Sequence, residues 1–334
     1  MALWLKENAL DSDVAISTRV RLARNLAGIP FPHRIAGTQR AEQVKETAKR
    51  AFLRDGMDFS YQEIRGLSPI NKTRLVEQHI ISRELASGNE GAMILSPDES
   101  ICVMIGEEDH YRLQCLRSGY DVDTAMKMAF ELDKMLNKEA EYAFDPELGY
   151  LTSCPTNVGT GMRVSVMLHL PGLTLSGGIR GILSALGNFG VTARGCYGEG
   201  SEAAGDIYQI SNQVTLGVSE KDIAKNLKTV VSQIIKKERE ARNALLHNQG
   251  AEVKDRIWRS YGLLKYAWKM DTSEALSCIS LVNMGVGLGI IEANTSDELY
   301  GLMMDIMPGM LSGEGRTAQD RDVVRARMIR NTIH

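Results

Sequence analysis

Apolar residues recur at helical spacing over 38–54 and again over 121–139, where Val122, Met126, Phe130, Leu132 and Met135 repeat. Elsewhere the period shortens. Apolar runs at 92–96 and 101–106 read as strands, and over 164–170 Val164, Val166, Leu168 and Leu170 alternate with Ser165, Met167 and His169. A helix at 178–188 and strands at 191–197 and 207–216 follow. A long helix at 220–247 then rests on Ile223, Leu227, Val231, Ile234 and Ile235, with a charged far face. Past residue 250 the segments 252–266, 273–284, 296–305 and 317–332 all read as helices, with glycine- or proline-containing breaks at 285–289 and 308–315. Residues 1–36 show neither period and read as an irregular arm. Strands and helices are interspersed without strict alternation. That predicts an α+β fold, with a sheet domain over 1–245 and a smaller helical domain over 250–334.

Composition narrows the class. The chain has 334 residues, 43% hydrophobic and 24% charged, with net charge −3. The signs are mixed throughout, which argues against a basic nucleic-acid binder. Five cysteines (Cys102, Cys115, Cys154, Cys196, Cys278) are widely spaced and contain no Cys-x-x-Cys pair, so neither a disulfide framework nor a zinc site is expected. The first residues lack the apolar stretch of a signal peptide, and no apolar run is long enough to span a membrane. A reducing cytoplasm is the expected compartment.

Three patches carry chemistry. In Ser17-Thr18-Arg19-Val20-Arg21 the two arginines alternate, so an extended chain points both guanidinium forks to one side, where they suit a polyphosphate. Gly106-Glu107-Glu108-Asp109-His110-Tyr111-Arg112 places three acids in a row at a strand end, and these repel unless a cation lies among them. Cys154-Pro155-Thr156-Asn157-Val158-Gly159-Thr160-Gly161-Met162-Arg163 leads into a strand, and its glycines are expected to let backbone approach a ligand. It is neither a Walker loop nor a dinucleotide fingerprint. Arg194-Gly195-Cys196-Tyr197-Gly198-Glu199 is a further glycine-rich strand end. Taken singly, these patches also read as a solvated strand, an acidic loop and a turn. Together they collect arginines 19, 21, 112, 163 and 194 with carboxylates Glu108 and Glu199. Fixed cations stabilise a triphosphate and its transition state. Paired carboxylates suit a guanidinium acceptor, whose pKa above about 12 demands bases that orient it and draw off a proton.

The 154–163 block closely resembles the defining motif of the phosphagen (ATP:guanido) kinases, and residues 17–21, 107–112 and 194–202 resemble their other blocks in the same order. Within that superfamily the chain looks like the bacterial protein-arginine kinases, on Tyr150-Leu151-Thr152-Ser153-Cys154, on residues 197–202 and on Ile210-Ser211-Asn212-Gln213. Creatine and arginine kinases carry an arginine where this chain has Tyr197, a basic pair where it has Gln213-Val214, and a helical domain ahead of the first block. These departures suit an arginine on a protein better than a free metabolite.

The resemblance implies a mainly antiparallel sheet flanked by helices. It assigns ATP to Ser17, Thr18, Arg19, Val20, Arg21, His79, Arg112, Arg163, Val164, Ser165, Val166, Met167, Arg194, Gly195, Cys196, Tyr197, Gly198 and Glu199. Glu108 and Glu199 become the catalytic carboxylates, and Cys154 falls where the family's reactive cysteine lies; a passive packed thiol is the alternative. Magnesium would bridge the β and γ phosphates, and no residue is assigned to it directly. Arg321-Asp322-Val323-Val324-Arg325-Ala326 matches the family's phosphoarginine-binding motif, with Arg321, Asp322, Arg325 and Ala326 as ligands and allosteric activation as the consequence. The implied partners are protein substrates, a second copy of the chain, the activator McsA, the unfoldase–protease ClpC and the repressor CtsR. A small-molecule guanidino kinase and a non-catalytic phosphoarginine-binding adaptor are the competing readings.

Overall fold

The structure, a computed structural model, describes residues 3–5, 9–54, 56–195, 203–292, 294–313 and 317–333. Its strands are β1 (Ala15–Arg24), β2 (Ser60–Glu63), β3 (Ala92–Leu95), β4 (Ile101–Ile105), β5 (Tyr111–Ser118), β6 (Phe144–Asp145), β7 (Gly149–Tyr150), β8 (Met162–His169), β9 (Val191–Gly195) and β10 (Ile207–Asn212). Eight of them form one sheet in the order β2-β3-β4-β5-β1-β8-β10-β9, with every neighbouring pair antiparallel. β6 and β7 make a separate hairpin.

The expected irregular arm is overturned at its centre. Residues 15–24 form a ten-residue strand in the interior of the sheet, hydrogen-bonded to β5 on one side and β8 on the other. Both faces of β1 are covered. Val20 and Leu22 enter the helix-backed core, and the hydroxyl of buried Thr18 donates to the Gly119 carbonyl at 2.8 Å. The polar residues therefore do not mark a solvated loop. On the opposite, site-bearing face Arg19 Nη2 donates to Gln209 Oε1, while the Arg21 Nε has no partner among the described residues.

One face of the sheet is backed by the helices Gln39–Phe52, Val122–Asn137 and Glu220–Asn248, whose apolar stripes meet Val20, Leu22, Val103, Leu113, Val164, Val166 and Ile210. Each fully buried aliphatic side chain contributes about 1.5–3 kcal/mol. The long helix starts at Ser219, whose hydroxyl accepts from Asp222 N at 3.1 Å and so satisfies one orphan donor of the first turn.

The helices Gly250–Tyr266, Thr272–Gly287, Ser296–Asp305 and Ala318–Thr332 match the expected C-terminal set. Thr295 and Thr317 each close a capping box. These helices share a hydrophobic cluster with Ile16, Leu116, Met167 and Ile207, which project from the opposite face of the sheet. A third cluster, with Ile80, Leu85, Met93, Cys102 and Met104, covers the β3–β4 end of that face. Strand β2 and the short helices Pro69–Glu77, Arg83–Ser87 and Pro171–Leu175 had no period long enough to read; β5 alternates Tyr111, Leu113 and Cys115 toward the core and adds a strand beyond those expected. β10 stops at Asn212 rather than 216, because Gln213 N turns away to the Gly190 carbonyl at 2.8 Å.

Candidate active site

Strand register brings the arginines together. Arg21 lies opposite Arg163 across β1 and β8, Ala23 opposite Arg112 across β1 and β5, and Gln209 opposite Arg194 across β10 and β9. Directly opposed residues of antiparallel strands project to the same side. Arg21, Arg112, Arg163 and Arg194 accordingly line one cavity of about 1330 Å³. Arg19 shares their face, with its Nη2 donating to Gln209 Oε1 at 2.8 Å.

Concentrating these cations costs free energy. Burial lowers the Arg21 pKa first, with Arg19, Arg112 and Arg163 adding repulsion and Glu107 opposing it. Burial likewise lowers that of Arg163, aided by Arg194 and Arg112 and opposed by Cys154 and Glu108. The buried Nε atoms of Arg21 and Arg163 have no hydrogen-bond partner among the described residues. Buried donors left unpaired beside like charges mark a site built for a polyanion.

The three consecutive acids separate into different roles. Asp109 is buried and accepts from Asn25 Nδ2 and Ser153 N, both at 2.7 Å, which makes it a structural brace. Glu107 is 1% exposed, takes Arg112 Nη1 at 2.6 Å and accepts from the Ser82 hydroxyl. Burial pushes its carboxyl pKa up even against Arg112. Glu108 is 40% exposed, lies 3.4 Å from Arg112 Nη2 and lines the cavity. Of the three, Glu108 can reach an incoming guanidinium. The cation that the acidic run required is Arg112. His110 is held neutral between two backbone groups, accepting from Leu26 N at Nδ1 and donating from Nε2 to the Pro30 carbonyl.

Cys154 lines the cavity, its Sγ 3.0 Å from Thr156 Oγ1. The glycines after it approach the chain itself. A Cβ on Gly159 (φ +109°) would stand 2.2 Å from the Thr215 carbonyl oxygen, and one on Gly161 (φ +61°) 2.7 Å from the Ala23 carbonyl oxygen. They seat this loop against β1 and the 213–218 segment, and Gly161 also lines the cavity.

The remaining expected contacts divide. Val20, Val164 and Val166 lie in the helix-backed core, Thr18 is bonded internally and Ser17 is 3% exposed. Ser165 and Met167 share the site-bearing side with Arg163, Met167 within the C-terminal cluster. His79 has φ +61° and lies beside Ile16, Met167, Tyr300 and Met303 in a crevice distinct from the large cavity. Burial there, with Arg19, pushes its pKa down to about 3. Gly195 lines the cavity, as does Ala203. Cys196, Tyr197, Gly198 and Glu199 lie outside the described residues. Sequence reasoning missed Glu84 and Glu90, which also line the cavity; isolated surface acids carry no motif.

The 321–326 motif sits on the helix Ala318–Thr332, and its arginines differ. Arg325 is 1% exposed and donates to the Ile306 and Met270 carbonyls, each at 2.9 Å, and to Asp322 Oδ1 at 2.7 Å. Asp322 therefore holds Arg325 rather than standing clear for a ligand, and Ala326 is packed in the core. Arg321 is half-buried. Both arginines act electrostatically on Glu77, whose carboxylate accepts from Gly309 N and Met310 N. No group of three or more His, Cys, Asp or Glu able to hold a metal occurs among the described residues. No described helix is long and apolar enough to cross a membrane.

A sheet of this order carrying an arginine floor and facing carboxylates defines an ATP:guanido phosphotransferase. The family model described as "ATP:guanido phosphotransferase, C-terminal catalytic domain" matches residues 40–241, and "Protein-arginine kinase McsB C-terminal domain" matches 250–334. The protein-arginine kinase of Bacillus cereus (strain G9842) is 43% identical over 337 residues, covering 99% of this chain and 95% of that one. That of Bacillus anthracis (strain A0248) is 42% identical over the same shares. The crystal structure of lombricine kinase overlays with a TM-score of 0.60 at 23% identity, covering 72% of this chain and 70% of its own. The duplicated taurocyamine kinase of Schistosoma mansoni gives 0.57 at 26% identity, covering 67% and 33%. The chain belongs to the protein-arginine kinase family.

Proposed function

We propose that this chain transfers the γ-phosphoryl group of ATP to arginine guanidinium groups of protein acceptors. The observation that carries the reading is the juxtaposition, in one cavity, of Arg21, Arg112, Arg163 and Arg194 with the accessible carboxylate of Glu108. The arginines bind the triphosphate and stabilise the charge that spreads over the transferring group. Glu108, with Glu199, grips the acceptor guanidinium in line with the γ-phosphorus. One of its nitrogens attacks, the bond from phosphorus to the bridging oxygen breaks, ADP departs, and the guanidinium proton passes to a carboxylate. Magnesium, which no residue here is assigned to hold, would neutralise phosphate charge when bound. Cys154 lies beside the acceptor.

Residues 1–245 act as the catalytic domain and 250–334 as a regulatory and dimerisation domain. Phosphoarginine binds at Arg321 with Asp322, Arg325 and Ala326 framing the site, and activates the enzyme. The enzyme works in the cytoplasm in a stress response, with McsA as activator, ClpC receiving marked substrates and CtsR inactivated by phosphorylation.

The test is incubation with radiolabelled ATP, magnesium and casein, followed by acid treatment. Acid-labile label on casein and none on free arginine is expected. Label on free arginine instead would place the chain among the small-molecule guanidino kinases. Glu199→Gln retaining full function would favour the non-catalytic adaptor.

A further inference from the structure

Four large apolar side chains stand in the open beside the cavity. Phe189, Val214, Leu216 and Val218 are 56%, 45%, 48% and 39% exposed. They come from two abutting segments: Gln213 N donates to the Gly190 carbonyl at 2.8 Å, and a Cβ on Gly190 would lie 3.5 Å from Val214 Cγ2. The backbone beneath them is pinned. Asn226 Nδ2 donates to the Phe189 carbonyl at 2.6 Å, and Asn212 Nδ2 to the Val214 carbonyl at 3.1 Å. The Thr215 hydroxyl donates to the carbonyls of Thr156 and Val158 at 3.0 and 2.7 Å. Thr215 is 4% exposed, so the residues on either side of it are turned outward from a fixed loop.

This apolar surface continues the cavity wall. Gln213, Thr156 and Leu183 line the cavity; Val214 follows the first, Thr215 is bonded to the second, and Phe189 lies on the turn just past the helix that carries the third. Exposed apolar groups clustered at a functional opening mark an interaction surface. Two features select the occupant. The cavity, at about 1330 Å³, exceeds the roughly 300–1,000 Å³ typical of small-ligand sites. Beside the arginines that suit the triphosphate, its lining also holds Glu84, Glu90 and Glu108, which supply counter-charge to an incoming guanidinium. A polypeptide that lowers an arginine into this cavity lays its neighbouring residues across the rim.

We propose that Phe189, Val214, Leu216 and Val218 dock the acceptor polypeptide, taking apolar side chains that flank the target arginine. Arginines in extended or unfolded segments, where such flanks are exposed, are thereby selected. This rests on the reading of the chain as a kinase of protein arginines, and it adds what that kinase recognises around the arginine.

The experiment compares two peptides, each with a single arginine, one flanked by Leu, Val and Phe and the other by Ser and Gly. Turnover is measured with ATP, and binding is measured separately by fluorescence anisotropy in the presence of ADP. The wild-type protein is expected to favour the apolar-flanked peptide by about 10-fold or more in KM and in binding. The triple variant Phe189→Ser, Val214→Ser, Leu216→Ser should bring the two peptides level while kcat and KM for ATP stay unchanged, which also reports that it folds. Equal use and equal binding of both peptides by the wild type overturns the proposal, as does a preference that survives the triple variant. If neither peptide is phosphorylated but the binding preference appears and is lost in the variant, the docking surface stands and the kinase reading fails.

Discussion

Arg21 and Arg163 face each other directly across two neighbouring strands, each with a buried Nε that no described residue accepts from. Like charges directly opposed across a sheet are destabilising by about 0.2–1 kcal/mol. The pair therefore stores a cost that an anion relieves. Arg21→Met is expected to leave nucleotide-free stability unchanged or slightly higher, while KM for ATP rises about 10- to 100-fold through lost charge-assisted hydrogen bonds. Thermal unfolding with and without ATP checks this, since the ligand-induced rise in Tm should shrink. A variant that unfolds earlier but binds ATP normally would show Arg21 to be structural.

Glu107 and Glu108 are adjacent in sequence and should fail differently. Glu108→Gln is expected to lower kcat by about 10²–10⁴ while KM for ATP hardly changes. Stability should move by less than about 0.5 kcal/mol, because the side chain is 40% exposed. Glu107→Ala removes the 2.6 Å partner of Arg112 from a buried position and should cost about 3 kcal/mol. Urea titrations beside steady-state kinetics separate the two; equal stability losses would contradict the division.

His79 provides a pH signature. Burial, with Arg19, lowers its folded pKa to about 3 from the ordinary 6.5, so below pH 6.5 the unfolded chain takes up a proton that the folded chain refuses. Stability should fall as pH drops from about 6.5 toward 3. His110 and His169, also lowered by burial, add to the same arm. The stability difference between wild type and His79→Gln, followed from pH 7 to 4, isolates the contribution of His79. A difference that does not vary with pH would mean that this imidazole keeps its ordinary pKa in the native state.

In the 321–326 motif, Arg325→Ala strands two buried carbonyls and Asp322 and should destabilise the protein by about 2–4 kcal/mol. Arg321→Ala should leave Tm nearly unchanged while abolishing phosphoarginine binding by calorimetry. Phosphoarginine binding that persists in Arg321→Ala would remove Arg321 from the site.

Gly159→Ala tests the loop that holds Cys154. The new methyl meets the Thr215 carbonyl at 2.2 Å in a backbone conformation that L-residues rarely adopt. More than about 2 kcal/mol of destabilisation is expected, together with weaker ATP binding as Arg163 shifts. Unfolding and nucleotide titrations of the one variant measure both; native stability would show that the loop yields.

The helices and most strands were legible in the sequence because their burial is one-sided, and one-sided burial writes a period. Val122 to Met135 and Ile223 to Ile235 each present one apolar stripe to one partner. The chemistry was legible because guanidinium forks, carboxylates and glycines in fixed order suit few reactions. Residues 17–21 were legible as extended chain, but not as an interior strand: the site-bearing face of β1 carries Arg19 and Arg21, and charged residues look solvent-facing in one dimension. Register decided which arginines meet. Three-dimensional burial decided that Asp109 braces, Glu107 holds Arg112 and Glu108 faces the cavity, although local sequence makes the three acids equivalent. Residue type and local period are properties of the chain alone. Desolvation, pairing and access depend on neighbours distant in the chain, as where Arg19 meets Gln209, so only the tertiary structure could assign them.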